Sequence, residues 1–323
     1  MRSLLGVFPE MSKEFFTRRY SQDQLEAVLE LSARSISTTR TRHTWIQNNM
    51  TAVLAYSGDD LIGAIPLERR KLTIGDGRLT EVLWVSGAHV DEQYRSAGVG
   101  SAMDRSIEEY FSEEASGVFV YRGDPQSAAF RWYKKNDYKV VASIVSLERD
   151  AQSSCRTGQS YKVLTKFEDI EKISSKLKIA FERKYCTALG FVSRSSRYWM
   201  DKIKYHLYCK DYKYSVLILD RKAGLRSYAF LGQTSLGDGQ LRLDIFEFVA
   251  VETERQELLD AVTDYAFSCG IPSLRVRLVE EDIDYRWFVQ HNFSWQNQFF
   301  MKARMFDPAV NITVNCFFHS DYI

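Results

Sequence analysis

One order of predicted elements occurs twice along this chain, and that recurrence limits the fold more than any single motif does. "SQDQLEAVLELSARSI" places Ser21 and Gln24 at capping-box spacing ahead of an apolar stripe at Leu25, Val28, Leu29 and Leu31, which predicts a helix. "TAVLAYSGDDLIGAIPLERRKLTIGDGRLTEVLWVSGAHV" then holds three apolar, β-branched runs parted by "SGDD" and "IGDG", the pattern of an antiparallel meander. A helix after Gly98, the short strand "GVFVY", a helix in "PQSAAFRWYKKND" and the strand "YKVVASIVSLER" follow. Beyond the polar, serine-bearing stretch "RDAQSSCRTGQS" the order starts again. A helix in "FEDIEKISSKLKIAFE" precedes three strands in "YKYSVLILD", "LRSYAFLG" and "QLRLDIFEFVAV", a helix in "ERQELLDAVTDYAF", then "SLRVRLV", "DIDYRWFVQHN" and "WQNQFFMKARMF". The topology repeats with little residue identity. The expectation is an α+β chain with a first domain over 1–150, a second over 151–306 and a tail, 307–323, packed on them.

Composition narrows the class further. At 323 residues the chain is long enough to bury two cores. Lys and Arg number 43 against 42 Asp and Glu, so no strong net field draws the chain to nucleic acid or to an anionic membrane. The five cysteines, Cys155, Cys186, Cys209, Cys269 and Cys316, are odd in number, widely spaced and without a C-x-x-C pair. That spacing fits reduced thiols rather than a disulfide framework or a zinc site, so no metal is expected. No apolar run reaches the length of a membrane span, and a cytoplasmic protein is expected.

The stretch "VDEQYRSAGVGSAMDRSIEEYF" spends two glycines, Gly98 and Gly100, where a strand ending at Val90 passes into a helix marked by Met103, Ile107, Tyr110 and Phe111. Successive backbone N–H groups and the helix dipole make such a junction an anion site, and side chains on the loop would block a pyrophosphate from the amides. Arg95 adds charge at its edge. Ser101-Ala102 after the second glycine departs from the Lys-Ser/Thr of a phosphate-binding P-loop, and no parallel βαβ unit precedes it as the dinucleotide fingerprint requires.

Arg95-x-x-Gly98-x-Gly100 after that strand resembles the acyl-CoA pyrophosphate loop of the GNAT N-acetyltransferase superfamily. "QSAAFRWYKKNDYKVV" is similar to the superfamily's later motif, with Gln126 for its Asn, Ala129 for Ala, Trp132 for an aliphatic residue and Tyr133 for Tyr; Asp137 for Gly and Tyr138 for Phe are departures. The resemblance spans about residues 20 to 150 and implies two tandem GNAT-like domains. The second is degenerate, since its loop "ETERQELLDA" has no glycine, its Glu252, Glu254 and Glu257 would repel a pyrophosphate, and Phe288 stands where the tyrosine would.

The resemblance implies acetyl-CoA as co-substrate, held by Ala88, Val90, Arg95, Ser96, Ala97, Gly98, Val99, Gly100, Ser101 and Gln126. A backbone N–H near Val90 would polarise the thioester carbonyl and the Tyr133 hydroxyl would meet the departing thiolate. Tyr133 and Trp132 also read as the apolar face of an amphipathic helix. The general base stays open among Glu81, His89 and the Ile323 carboxylate, which a terminal aromatic tail, "FFHSDYI", would carry to the first domain as in some tandem relatives. Strand alternation turns the His89 ring to the face opposite Val90. The acceptor implied is a small-molecule amine such as an aminosugar or amine-bearing antibiotic. Transfer of a longer acyl group, a peptide amine acceptor, and an acyl-CoA-binding module without turnover are the alternatives. "RYWMDKIKYHLYCKDYKY" mixes basic and aromatic residues, but with balanced overall charge it reads as a solvated helix and hairpin rather than a nucleic-acid surface. A homodimer is compatible with the sequence.

Overall fold

A computed structural model describes residues 14–35, 45, 50–74, 77–122, 125–151, 160–191, 193–195, 197–201, 203, 213–219, 221, 224–310 and 312–315. The first run of elements is β1 (Phe16–Arg19), α1 (Leu25–Ser35), β2 (Thr51–Ser57), β3 (Asp60–Thr73), β4 (Leu79–Val85), β5 (His89–Val90), α2 (Val99–Phe111), β6 (Gly117–Arg122), α3 (Ala128–Lys135) and β7 (Lys139–Asp150). The second is β8 (Tyr161–Leu164), α4 (Phe167–Lys184), β9 (Lys213–Leu219), β10 (Tyr228–Ser235), β11 (Leu241–Val249), α5 (Arg255–Ser268), β12 (Ser273–Val279), α6 (Tyr285–Gln290) and β13 (Ser294–Met305). The fold is mixed, with mostly antiparallel strands flanked by helices, and the element order repeats as the periodicities predict. Each run gains an opening strand, β1 or β8, too short to carry an alternation signal.

Contacts divide the chain into two compact units, residues 1–69 with 83–118, and 70–82 with 119–323. In the first unit β1, β2 and β3 pair antiparallel, and α2 packs on β1 and β2. The Ser21 N–H donates to Gln24 Oε1 at 2.9 Å in the capping box the spacing predicts, but residues 22–24 form a 3-10 turn and the α-helix starts at Leu25. Leu25, Val28 and Leu31 bury the apolar stripe of α1 against Trp45, Met50, Ala52, Leu54 and Ala64. Arg19 grips Glu114 with two nitrogens, at 2.6 and 3.0 Å, and Arg69 pairs with the same carboxylate. The two guanidiniums hold the Glu114 carboxyl down to about 2.

The second unit carries the strand order β6-β13-β7-β12-β11-β10-β9-β8. The closing strands do not sit beside their own predecessors. β7 pairs antiparallel with β12 on one side, from Ser273↔Asp150 to Val279↔Ile144, and with β13 on the other. β13 lies between β6 and β7. The strand that closes the first run therefore has both neighbours among residues 273–305. β11 and β12 run parallel from Arg242↔Ser273 to Ile245↔Val276 and pair no further, so the end of β11 parts from β12. Arg275 holds Asp244 with two bonds of 2.6 Å, and Arg242 bridges Asp244 and Glu148, fixing the register of β7, β12 and β11.

Among the described residues of the basic and aromatic segment 197–214, Trp199, Met200 and Ile203 are buried, and Trp199 Nε1 donates to the buried Glu247 at 2.9 Å. Its residues 202 and 204–212 lie outside those described. Of the tail, Ile312 and Val314 are buried and Asn315 exchanges bonds with Leu189, 3.0 Å to the carbonyl and 2.7 Å from the N–H. His319, Asp321 and Ile323 lie outside the described residues, and so does the terminal carboxylate proposed as a base.

Candidate functional site

The strand approaching the glycine loop is interrupted. Ser86 N–H bonds the Pro66 carbonyl at 2.9 Å, while β5 rejoins β3 with His89 opposite Ala64 and Val90 opposite Gly63. Three steps on one strand answer two on the other, which is a β-bulge, and Gly87 with φ +85° supplies the turn. The strand predicted to run unbroken to Val90 is therefore two pieces. The "SG" dipeptide inside an apolar run was the available signal for it. The bulge re-aims the chain, and Asp91 N–H then closes on the Ile62 carbonyl at 2.8 Å.

Asp91 accepts from the Gln93 N–H and opens a 3-10 turn over Glu92–Tyr94. Arg95 folds back, its Nε donating to the Val90 carbonyl at 3.3 Å. Ser96 and Gly98 both take left-handed backbone, with φ +67° and +87°. Gly98 is the N-cap of α2 and offers no side chain to cap it. The first bond inside the helix runs from Ala102 N to Gly98 O, so the N–H groups of Val99 and Gly100 have no acceptor within the helix. Arg95, Ser96, Ala97 and Gly98 are exposed while Val99 is buried, which fastens the helix and leaves the loop on the surface. A Cβ at Gly98 would meet nothing within 4 Å, so its backbone angle, not crowding within the chain, demands glycine. Gly100 has no positive φ, and its missing side chain answers no conformational need. The first turn of α2 holds no acidic residue, and Ala88 and Ser101 are half-buried at either end of the loop. The Arg95 and Ala97 amides bond the Glu92 and Tyr94 carbonyls within the loop, so the donors left for an anion are the first amides of α2, at Val99 and Gly100, with the helix dipole behind them.

The base candidates fall in different surroundings. Glu81 is a half-buried residue of β4. His89 is 6 % exposed, with Nδ1 3.0 Å from the Gly87 carbonyl, and its Nε2 has no hydrogen-bond partner among the described residues. Bonding to a carbonyl assigns the proton to Nδ1, and burial pushes the pKa down, so the ring is neutral at pH 7 and its free lone pair is on Nε2.

Tyr133 and Gln126 belong to the second unit. Ser127 caps α3 by accepting from Phe130 N at 3.1 Å, and the exposed Gln126 gives its carbonyl to Arg131. Tyr133 is 1 % exposed, its ring edge-on to Trp132 at 4.7 Å and to Tyr138 at 5.0 Å. The helix ends through Asp137, whose φ of +63° explains how aspartate stands where the resembling motif has glycine. The second repeat reproduces this device: Asn292 has φ +64°, Phe288 meets Trp287 at 5.3 Å and Phe293 at 4.9 Å, and Phe293 N reaches the Phe288 carbonyl as Tyr138 N reaches that of Tyr133, at 3.2 and 3.1 Å. Tyr133 and Phe288 are thus equivalent positions that differ by one hydroxyl.

The second repeat's loop diverges instead. Glu254 precedes α5 with φ −114°, not a left-handed angle, and its carboxylate accepts from Ser227. Glu257 pairs with Arg221. Of the three acids expected to repel a phosphate, Glu257 is neutralised within the chain and Glu254 is buried against a hydroxyl, so the loss of the loop rests also on its backbone and on the missing glycines.

No sequence profile of a known family and no curated protein matches the chain. Solved structures do. A GCN5-related N-acetyltransferase from Anabaena variabilis superposes with a TM-score of 0.71 at 12% identity, over 91% of this chain and 73% of its own. One from Kribbella flavida gives 0.63 at 16%, over 91% and 71%. A tandem GNAT protein from the clavulanic acid biosynthesis pathway gives 0.56 at 10%, over 92% and 100%. Together with the repeated element order, this gives the chain the GCN5-related N-acetyltransferase fold.

Proposed function

We propose that the protein is an N-acetyltransferase that moves an acetyl group from acetyl-CoA to the primary amine of a small molecule, such as an aminosugar or an amine-bearing antibiotic, with its first repeat taking the co-substrate. The observation that carries this reading is the left-handed Gly98 opening α2 beneath an exposed loop free of acidic side chains in the helix's first turn. The loop amides and Arg95 receive the pyrophosphate, the edge at Ala88 and Val90 receives the pantetheine arm, and the Tyr133 hydroxyl meets the leaving thiolate. The hydroxyl's absence from the otherwise matched Phe288 supports this last role, because packing alone is satisfied without it.

The test is a thermal shift with acetyl-CoA, CoA and a long-chain acyl-CoA on the wild type and on Gly98→Asp. The variant places a carboxylate among the amides, at a conformational cost of about 1–2 kcal/mol. A rise in melting temperature for the wild type that the variant lacks is the expected result. Equal shifts in both proteins would remove the loop from the reading, and the order of the three ligands identifies the donor. A binding module without turnover is the second reading, favoured by the burial of His89, and CoA binding without acetylation of any amine would select it.

A further inference from the structure

Asp284 stands at the N-cap of α6, yet makes no side-chain bond to its own helix. An aspartate in that place ordinarily accepts from the first-turn amides. Here the carboxylate, 2 % exposed, turns the other way. It accepts from Lys184 Nζ at the end of α4 and pairs with Arg255 NH2, on the first residue of α5, at 3.2 Å. Lys184 Nζ also donates to the Phe248 carbonyl at 2.8 Å, close to the end of β11 where that strand has parted from β12. The rings of Tyr185 and Phe248 lie 5.2 and 5.7 Å from the ammonium and shield it from water.

In the first repeat the counterparts of Asp284 and Arg255 carry no charge. Ser127 caps its own helix, Val99 is the first residue of α2, and Ala88 matches Phe248 when residues are counted back from Glu92 and Glu252, the first residues of the 3-10 turns 92–94 and 252–254. A carboxylate and a guanidinium have thus been placed in the second repeat where the first has a serine and a valine.

We propose that Asp284 is a built-in anion: its carboxylate does for the second repeat what a phosphate would do at the loop of the first, holding Lys184 and Arg255 together so that the cleft at the end of β11 is closed by the chain itself. The inference builds on the acyl-CoA reading of the first repeat, but its test does not use that ligand. Removing one partner of a buried pair leaves the other charges uncompensated; Asp282, whose proton is held by burial and in part by the Asp284 charge, is replaced by Asn in the background so that it cannot ionise in its place, and there Asp284→Ala is expected to lose about 10 °C in Tm. It should then regain part of that loss in sodium formate or inorganic phosphate, relative to sodium chloride of equal ionic strength, because a small anion can enter the space the carboxylate left. The wild type sets the baseline in each salt, since phosphate strengthens apolar burial in any protein and has the first repeat's loop to bind. A variant that gains no more than the wild type in formate and phosphate overturns the proposal. Should Asp284→Ala not fold, Asp284→Ser, smaller than the carboxylate and able to cap α6 as Ser127 caps α3, still leaves room for the anion: formate or phosphate must raise its Tm beyond the wild type's response, and a variant that gains no more than the wild type overturns the idea. Rescue in these variants, in a protein whose wild type gives no shift with acetyl-CoA, would leave this inference standing while the acyl-CoA reading fell; the reverse pair of results would do the opposite.

Discussion

Phe288 and Tyr133 show what one oxygen atom costs and what it can do. Both rings sit in matched aromatic pockets at the same point of matched helices. Tyr133→Phe is therefore expected to keep the melting temperature within a few degrees, since the second repeat packs a phenylalanine in that frame. Under the proposed function it lowers kcat by about 100-fold, the order of a lost proton donor, with acetyl-CoA affinity unchanged. Steady-state kinetics beside a melting curve checks this, and unaltered kcat would return Tyr133 to the core. Asp282 offers a second test at this scale. It accepts from Asp284 N at 2.8 Å, and burial together with the Asp284 charge raises its pKa to about 7. The folded pKa lies above the unfolded one, so the native state keeps a proton that the unfolded chain releases. This contribution to stability is complete in acid, below the ordinary carboxylate range, and is lost as pH rises toward about 7. Asp282→Asn should flatten that part of the profile, which Tm measured from pH 5 to pH 8 would reveal.

At the scale of elements, the alternation in "YKVVASIVSLER" and "WQNQFFMKARMF" predicted β7 and β13 well, because a period of two is a local property of the chain. It was silent on their neighbours. Nothing in either run says that β7 will lie between β12 and β13, since pairing partners are chosen by the match of buried faces across long separations. The consequence is testable. A fragment of residues 1–150 would present β7 with neither neighbour, and it is expected to stay insoluble or to melt without cooperativity. Coexpression with residues 151–323 should restore a folded complex. A fragment 1–150 that melts cooperatively by itself would show that the exchange of closing strands is dispensable. The glycine loop was legible for the same local reason as the strands: a strand, glycines and a helix start lie adjacent in sequence. The bulge at Ser86–Ala88 was less so, because one inserted residue barely disturbs an apolar run.

For the molecule as a whole, the two repeats share an order of elements and differ in chemistry. One opens its middle helix with a left-handed glycine, the other with Glu254 and Arg255 tied to Ser227 and Asp284. Calorimetric titration with acetyl-CoA should accordingly find a single site per chain, which Gly98→Asp removes; a second site surviving that change would mean the second repeat also binds. Local pattern alone determined the repeated element order, the mixed fold and the loop at Gly98, because periodicity, capping and turn chemistry act over a few residues. Which strands neighbour one another, that His89 is buried and neutral, and that Asp284 turns from its own helix to Lys184 and Arg255 were decided only in the tertiary structure. Those features depend on groups brought together from segments distant in sequence, a hundred residues for Lys184 and Asp284 and more for β7 and β13, and no local pattern encodes such a meeting.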